Sequence, residues 1–222
     1  MSAEAGEPDP RTPSAPRRAA AVIVLREGAR GPEVLLVRRS PHARFMADTW
    51  VFPGGALEAE VADARGDAEL DRAHRAAAVR ELREEAGITL AGAESELVEF
   101  AHWITPAQLS IRFDARFYLI RAPRDCEASV DGEECVEARW LAPSRALSAA
   151  SARELQLAFP TLKQLEQLST FSTVDELLEH ARERSVAPVE PRLLLREGSA
   201  EIVLPGEPGF ESLDDRADRF PA

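Results

Sequence analysis

A layered fold of α+β or α/β class, and not a helical bundle, is predicted by three observations. Two short apolar runs flank a turn-like stretch near the start of the chain. One long helical pattern follows. Three more strand-like segments come after it, before helical spacing resumes beyond Pro143.

The opening eighteen residues, MSAEAGEPDPRTPSAPRR, mix charge with proline and contain no apolar run, so they read as a disordered tail. They suit neither a secretory signal nor a membrane span. From Ala19, AAAVIVL and then VLLVRR are β-rich runs on either side of EGARGPE, which predicts a hairpin. Ser40 to Asp48 is polar, contains Pro41 and reads as a loop. Trp50-Val51-Phe52 is a short strand that ends in a glycine turn at Pro53-Gly54-Gly55.

Between Ala68 and Ala86 the residues Arg75, Val79, Leu82 and Ala86 recur at helical spacing, and Gly87 is a suitable C-terminal stop. Strands are predicted over Leu97 to Trp103, Arg112 to Arg121 and Val136 to Leu141. Helices are predicted over Ala152 to Phe159, Pro160 to Leu168 and Thr173 to Arg184, with Ser172 or Thr173 as the cap of the last. Leu193 to Leu195 and Ile202 to Leu204 could pair around Gly198, and ESLDDRADRFPA reads as a frayed end.

Composition narrows the function classes. A chain of 222 residues is long enough to bury a sizeable core. Its 39 acidic residues against 27 basic ones give a net charge of −12, which argues against nucleic-acid polymers and anionic membranes as partners. An anionic substrate would need a metal and local arginines to offset that charge. Cys126 and Cys135 are too few for a disulfide framework and lack zinc-site spacing, so they read as free thiols with no assigned function. The expected location is the cytoplasm.

The informative segment is Arg80-Glu81-Leu82-Arg83-Glu84-Glu85-Ala86-Gly87-Ile88. At about 100° per residue its three glutamates share one arc of a helix, beside the apolar stripe of Val79, Leu82 and Ala86. Carboxylates crowded in this way repel one another unless a cation is present, and all-oxygen ligands suit Mg²⁺ or Mn²⁺ better than zinc. A run of glutamates paired with Arg80 and Arg83 is, taken alone, more often a solvated helix face. The context reverses that balance: a strand ending in Pro53-Gly54-Gly55 leads through a loop into this helix and its closing glycine.

These residues resemble the signature of the Nudix hydrolases: a glycine, a glutamate six residues on, then arginine-glutamate-X-X-glutamate-glutamate-X-glycine on a helix. Gly55 matches the opening glycine and Arg80 to Ile88 the second half. The family places fourteen positions from that glycine to the arginine, whereas this chain has twenty-five (80 − 55), an insertion of eleven that is expected to lengthen the loop and shape substrate choice. The family's first glutamate is therefore left open among Glu58, Glu60 and Glu69, strict counting falling on Arg72.

The resemblance implies an α+β fold, an αβα sandwich with a mixed sheet, over residues 19–146, followed by a C-terminal helical extension over 147–222. It implies Mg²⁺ or Mn²⁺ held by Glu81, Glu84 and Glu85, with the Gly54 carbonyl as a further ligand and Arg80 orienting a glutamate. A later carboxylate is expected in the stretch from Asp131 to Trp140, with Glu134 preferred to Glu133 or Glu137. Either Glu84 or Glu134 could act as the base that activates water.

Arg38-Arg39-Ser40-Pro41, Arg44-Phe45-Met46, the extended loop, Trp103-Ile104-Thr105-Pro106 and Arg112 to Phe117 resemble the branch that holds the peroxisomal coenzyme A diphosphatases and their bacterial relatives. That implies a small nucleotide-like substrate, coenzyme A or an acyl derivative. ADP-ribose, NADH or a nucleotide sugar are the alternatives, and a non-catalytic nucleotide sensor or an interaction protein built on the late helices are the rival classes.

Three smaller features have two readings each. Arg112, Asp114 and Arg116 could bind phosphate or form a cross-strand ion network. Trp103, Phe113 and Phe117 could stack a base or fill the core. His42 and His102 have no motif partner, and no role is assigned to them.

Overall fold

A computed structural model describes residues 14–58, 66–90, 92–124, 126–196 and 199–212. The fold is of α+β class with a mixed sheet. Two compact units are formed. The larger comprises Arg18–His102 and Ala115–Ala187, and the smaller takes in Trp103–Asp114 and the chain from Pro188.

In the larger unit the two apolar runs become β1 (Arg17–Gly28) and β2 (Gly31–Arg39), an antiparallel hairpin with Leu25 opposite Val34. Ala19 to Leu25 and Val34 to Val37 are buried without a break in alternation, so both faces of these strands are covered. That is why the sequence reads VIVL and VLLV and not as alternating polar and apolar residues. β3 (Trp50–Val51) lies against β2, and the strand order runs β3-β2-β1-β6-β5. Here β5 is Val98–Ile104 and β6 is Phe113–Arg121. β7 (Cys135–Leu141) pairs with β2 on a separate path.

The expected glycine turn is a strand. After Phe52 and Pro53 the chain forms β4 (Gly54–Ala56), antiparallel to Ala19–Ala21 of β1. Glycine is required there by close approach. A Cβ on Gly54 would lie 2.5 Å from the Ala20 carbonyl oxygen and 2.5 Å from the Ala21 Cβ.

The long helix, α1 (Asp67–Ala86), begins one residue before the predicted start and stops at Gly87, whose φ of 66° is left-handed and whose N–H bonds the Arg83 carbonyl at 3.0 Å. Its Ala73, Ala77, Ala78, Leu82 and Ala86 pack on Ala20, Val22, Val24, Leu35 and Val37, the core beneath the site. The insertion therefore lengthens a helix as well as a loop. Thirteen residues of α1, Asp67 to Val79, precede Arg80, and Glu60, one candidate for the first signature glutamate, lies outside the described residues.

The helix predicted over Ala152 to Phe159 is displaced. α2 spans Pro143–Ser151, started by Pro143, whose missing N–H costs nothing in a first turn. Arg153 then takes a φ of 60°, and Gln156 and Ala158 exchange backbone bonds with Trp50 at 2.7 and 3.2 Å. Residues 152–155 thus turn back on α2, with the Glu154 N–H on the Ala149 carbonyl at 2.8 Å, residues 156–158 run along Trp50 of β3, and Leu155 sits off any helix. α3 (Phe159–Leu168) and α4 (Val174–Glu183) follow as predicted, the latter capped by Thr173, whose hydroxyl accepts from the Glu176 N–H at 3.1 Å.

In the smaller unit, β8 (Pro188–Val189) lies beside β5, whose last residues belong to this unit. β9 (Arg192–Arg196) and β10 (Ser199–Val203) form the late hairpin with Leu193 opposite Ile202, while Gly198 and the final ten residues lie outside the described residues. Arg112 is buried, with its guanidinium on the Thr105 and Ser14 carbonyls and Glu190. Its one carboxylate partner among the described residues is Glu190. Trp103 and Phe117 are likewise buried. Among the described residues no helix is long and apolar enough to cross a membrane.

Candidate active site

The C-terminal half of α1 is laid against β4 and β7. This arrangement brings together residues that the sequence keeps far apart. Glu81 and Glu85 face inward and are buried, at 8% and 2% exposure, while Glu84 stands at the rim. The Glu85 Oε2 accepts from the Gly54 N–H at 2.8 Å, and its Oε1 is 3.6 Å from Nη1 of Arg39 at the end of β2. Glu81 lies under Gly55 so closely that a Cβ on that glycine would run into its carboxylate.

Arg80 is spread across the carboxylates. Nη2 bonds Glu81 at 2.7 Å and the Ala56 carbonyl at 3.2 Å, Nη1 bonds Glu84 at 2.7 Å, and Nε is 3.4 Å from Glu58. Glu58, a candidate for the first signature glutamate, is thus tied to this cluster. Glu69 lies in the first turn of α1, as an acidic residue at the positive end of the helix dipole.

Glu134 arrives from the loop before β7. Asp131 holds that loop, its two carboxylate oxygens accepting from the Glu134 and Cys135 N–H groups at 3.0 Å each, while Gly132 takes a φ of 81°. Although partial burial disfavours its charge, those backbone bonds keep the Asp131 carboxyl below its ordinary value. Asp131→Ala is expected to cost about 1 kcal/mol and to lower turnover through loss of Glu134 placement. Thermal denaturation and steady-state kinetics on the same variant check both halves.

The electrostatics follow from burial. Desolvation pushes the Glu85 carboxyl up to about 7, with Glu81 and Glu134 adding to it and the Gly54 N–H and Arg39 pulling the other way. Glu81 is raised for the same reason, against the pull of Arg80. Cys135 is a free, buried thiol beside Glu85, and burial with that neighbouring charge holds it protonated. Cys126 is also free, His42 is exposed, and His102 is half-buried.

As placed, no three acidic, histidine or cysteine side chains among the described residues form a cluster that could hold an ion. The donors nevertheless fit a hard divalent cation. They are all oxygen, two are buried, and their mutual repulsion is what a cation would relieve.

A strand that opens on two glycines, a helix carrying REXXEEXG against it, and a later acidic loop form one assembly. A family model of the NUDIX domain matches residues 15–162, about two thirds of the chain. The protein is a Nudix hydrolase. This Nudix hydrolase is 26% identical over 224 residues to a putative nudix hydrolase 7 of Caenorhabditis elegans, covering 86% of this chain and 73% of that protein. Its fold matches a NUDIX hydrolase from Alicyclobacillus acidocaldarius with a TM-score of 0.66 at 25% identity, over 75% of this chain and 96% of that one. The NUDIX domain of Shewanella oneidensis NrtR, solved with ADP ribose, matches at a TM-score of 0.50 and 18% identity, over 72% of this chain and 90% of that one, a likeness of fold.

Of the residues read from the sequence, Arg80, Glu81, Glu84, Glu85 and Gly54 share this site, and Glu134 is coupled electrostatically to Glu81 and Glu85. Arg39 and Asp131 lie in stretches singled out in the sequence, but the sequence gives neither residue a role of its own. The Asp131-Gly132 pair marks a turn, which is a signal for the loop but not for what it holds.

Proposed function

We propose that this Nudix hydrolase uses Mg²⁺ or Mn²⁺ to cleave the diphosphate bond of a nucleoside diphosphate linked to a second group. Coenzyme A or an acyl-coenzyme A is the preferred substrate, split into 3′,5′-ADP and a phosphopantetheine product. The observation that carries the reading is the pair of buried carboxylates, Glu81 and Glu85, packed under Gly54 and Gly55 with Glu84 and Glu134 at the rim. The stretches Arg38 to Pro41, Arg44 to Met46, Trp103 to Pro106 and Arg112 to Phe117 support the coenzyme A branch.

Bound metal would neutralise the diphosphate oxygens and activate water for attack on phosphorus. Glu81, Glu84 and Glu85 would hold it, with the Gly54 carbonyl as a further donor. Arg80 orients Glu81 and Glu84 through separate nitrogens. Glu134 is favoured over Glu84 as the base. The oxygens of Glu84 are engaged by Arg80 at 2.7 Å and Arg83 at 3.4 Å, whereas no ion pair among the described residues holds Glu134.

The test is product release from coenzyme A, acetyl-coenzyme A, ADP-ribose, NADH and a nucleotide sugar, each with Mg²⁺, with Mn²⁺ and with chelator. Cleavage of coenzyme A to 3′,5′-ADP, abolished by chelation, is the expected result. Faster turnover of ADP-ribose or NADH would move the assignment within the family. Full activity in chelator would overturn the metal, and tight binding of the whole panel with no turnover would favour a sensor.

A further inference from the structure

Among the described residues Arg83 pairs only with the rim glutamate, Glu84, whereas two arginines reach the buried carboxylates, and they are held differently. Arg80 is committed through all three nitrogens to Glu58, Glu81, Glu84 and the Ala56 carbonyl. Arg39 donates its Nε to the Phe45 carbonyl at 3.2 Å, while its Nη1 stands 3.6 Å from Glu85, an ion-pair distance beyond hydrogen-bond range. Among the described residues nothing else engages its two terminal nitrogens, and the side chain is 25% exposed.

A strand irregularity aims it there. The pairing of β2 with β7 shifts register between Arg38, opposite Glu137, and Arg39, opposite Cys135. Arg38 turns to Asp48 and Glu137, at 2.6 and 3.1 Å, and Arg39 turns to Glu85. The guanidinium is thus anchored at one edge and open at the other, beside the residues proposed to hold the metal.

We propose that Arg39 is a substrate-binding residue whose terminal nitrogens take an anionic phosphoryl oxygen of the diphosphate. The inference rests on the diphosphate reading given above. A chain of net charge −12, with Glu81, Glu84, Glu85 and Glu134 around one site, repels such an anion, and a planar fork is the donor that matches phosphoryl oxygens. Arg80 has no nitrogen left for that task, and Arg39 has two. With Glu85 holding a metal, the 3.6 Å ion pair would be the contact to give way.

The experiment measures binding of α,β-methylene-ADP, a non-hydrolysable nucleoside diphosphate, in saturating Mn²⁺, and binding of Mn²⁺ alone, by calorimetry on the full chain. Arg39→Ala is expected to weaken the nucleotide about 30-fold and to leave Mn²⁺ affinity within about threefold, because loss of the counter-charge to Glu85 and removal of a charge that repels the ion offset each other. Arg39→Lys, a point charge without the fork, is expected to fall between. Arg38→Ala, which removes the same charge one residue away, is expected to bind both normally. If Arg39→Ala does not fold, Arg39→Gln carries the same expectation.

Unchanged nucleotide binding in the Arg39 variants, beside a wild type that binds it, overturns the Arg39 assignment alone. A tenfold or greater loss of Mn²⁺ affinity overturns it too, by placing Arg39 in support of Glu85. A wild type that binds Mn²⁺ but neither binds the analogue nor turns over the panel overturns the diphosphate reading and this inference together.

Discussion

Glu85→Gln is expected to lower turnover steeply and, in chelator at pH 8, to make the protein more stable. The carboxyl is 2% exposed, and burial raises it to about 7 from an ordinary value of 4.5. A carboxyl raised in the folded state binds more protons there than in the unfolded chain, so stability falls as pH rises from about 4.5 through 7 and the full cost is present above that range. The shift corresponds to roughly 3 kcal/mol. Glutamine is isosteric, cannot ionise, and can still accept from the Gly54 N–H, so it removes that cost without opening a cavity.

Turnover should drop about 10²–10³-fold, the scale on which removal of a group that stabilises charge in the transition state is felt. Wild type and variant melted in chelator at pH 5 and pH 8 provide the check. The wild type should lose stability between the two, regain it when Mg²⁺ is added, and differ least from the variant at pH 5. A variant less stable than wild type at pH 8 would show that Arg39 and Gly54 more than offset the burial of the charge.

The second large effect separates two adjacent glycines. Neither has a positive φ, so the consequence of a Cβ is decided by what it meets. On Gly54 it meets the backbone oxygen of Ala20 and the Cα and Cβ of Ala21 at 2.5 to 2.6 Å, atoms fixed inside the sheet. Gly54→Ala is expected to destabilise the fold by about 1–3 kcal/mol, the usual cost of overpacking. On Gly55 it meets the Glu81 carboxylate, the movable end of a side chain. Gly55→Ala should therefore leave stability within about 1 kcal/mol while displacing Glu81 and lowering kcat on the order of 10²-fold. Chemical denaturation and kinetics on both variants test this, and equal losses of stability would refute the distinction.

The legible parts of the molecule were those with a local cause. The hairpin of β1 and β2, the helix ending at Gly87, the cap at Thr173 and the register of the signature carboxylates all follow from spacing and turn chemistry within a few residues. The misread parts were decided from a distance. Gly54 to Ala56 form a strand because Ala19 to Ala21 are there to pair with, and residues 156–158 leave helical geometry because Trp50 offers them backbone bonds. Neither partner is near in sequence.

The same division runs through the site. By itself the sequence determined that Glu81, Glu84 and Glu85 share one arc of a helix, since that follows from the pitch of the backbone. Only the tertiary structure decided that Glu81 and Glu85 are buried while Glu84 is not, that Gly54 donates to Glu85, and that the bulge at Arg38 and Arg39 turns the second arginine toward it. The reason is physical: a carboxylate's charge, hydration and orientation depend on which distant elements pack around it, and packing is a property of the whole chain.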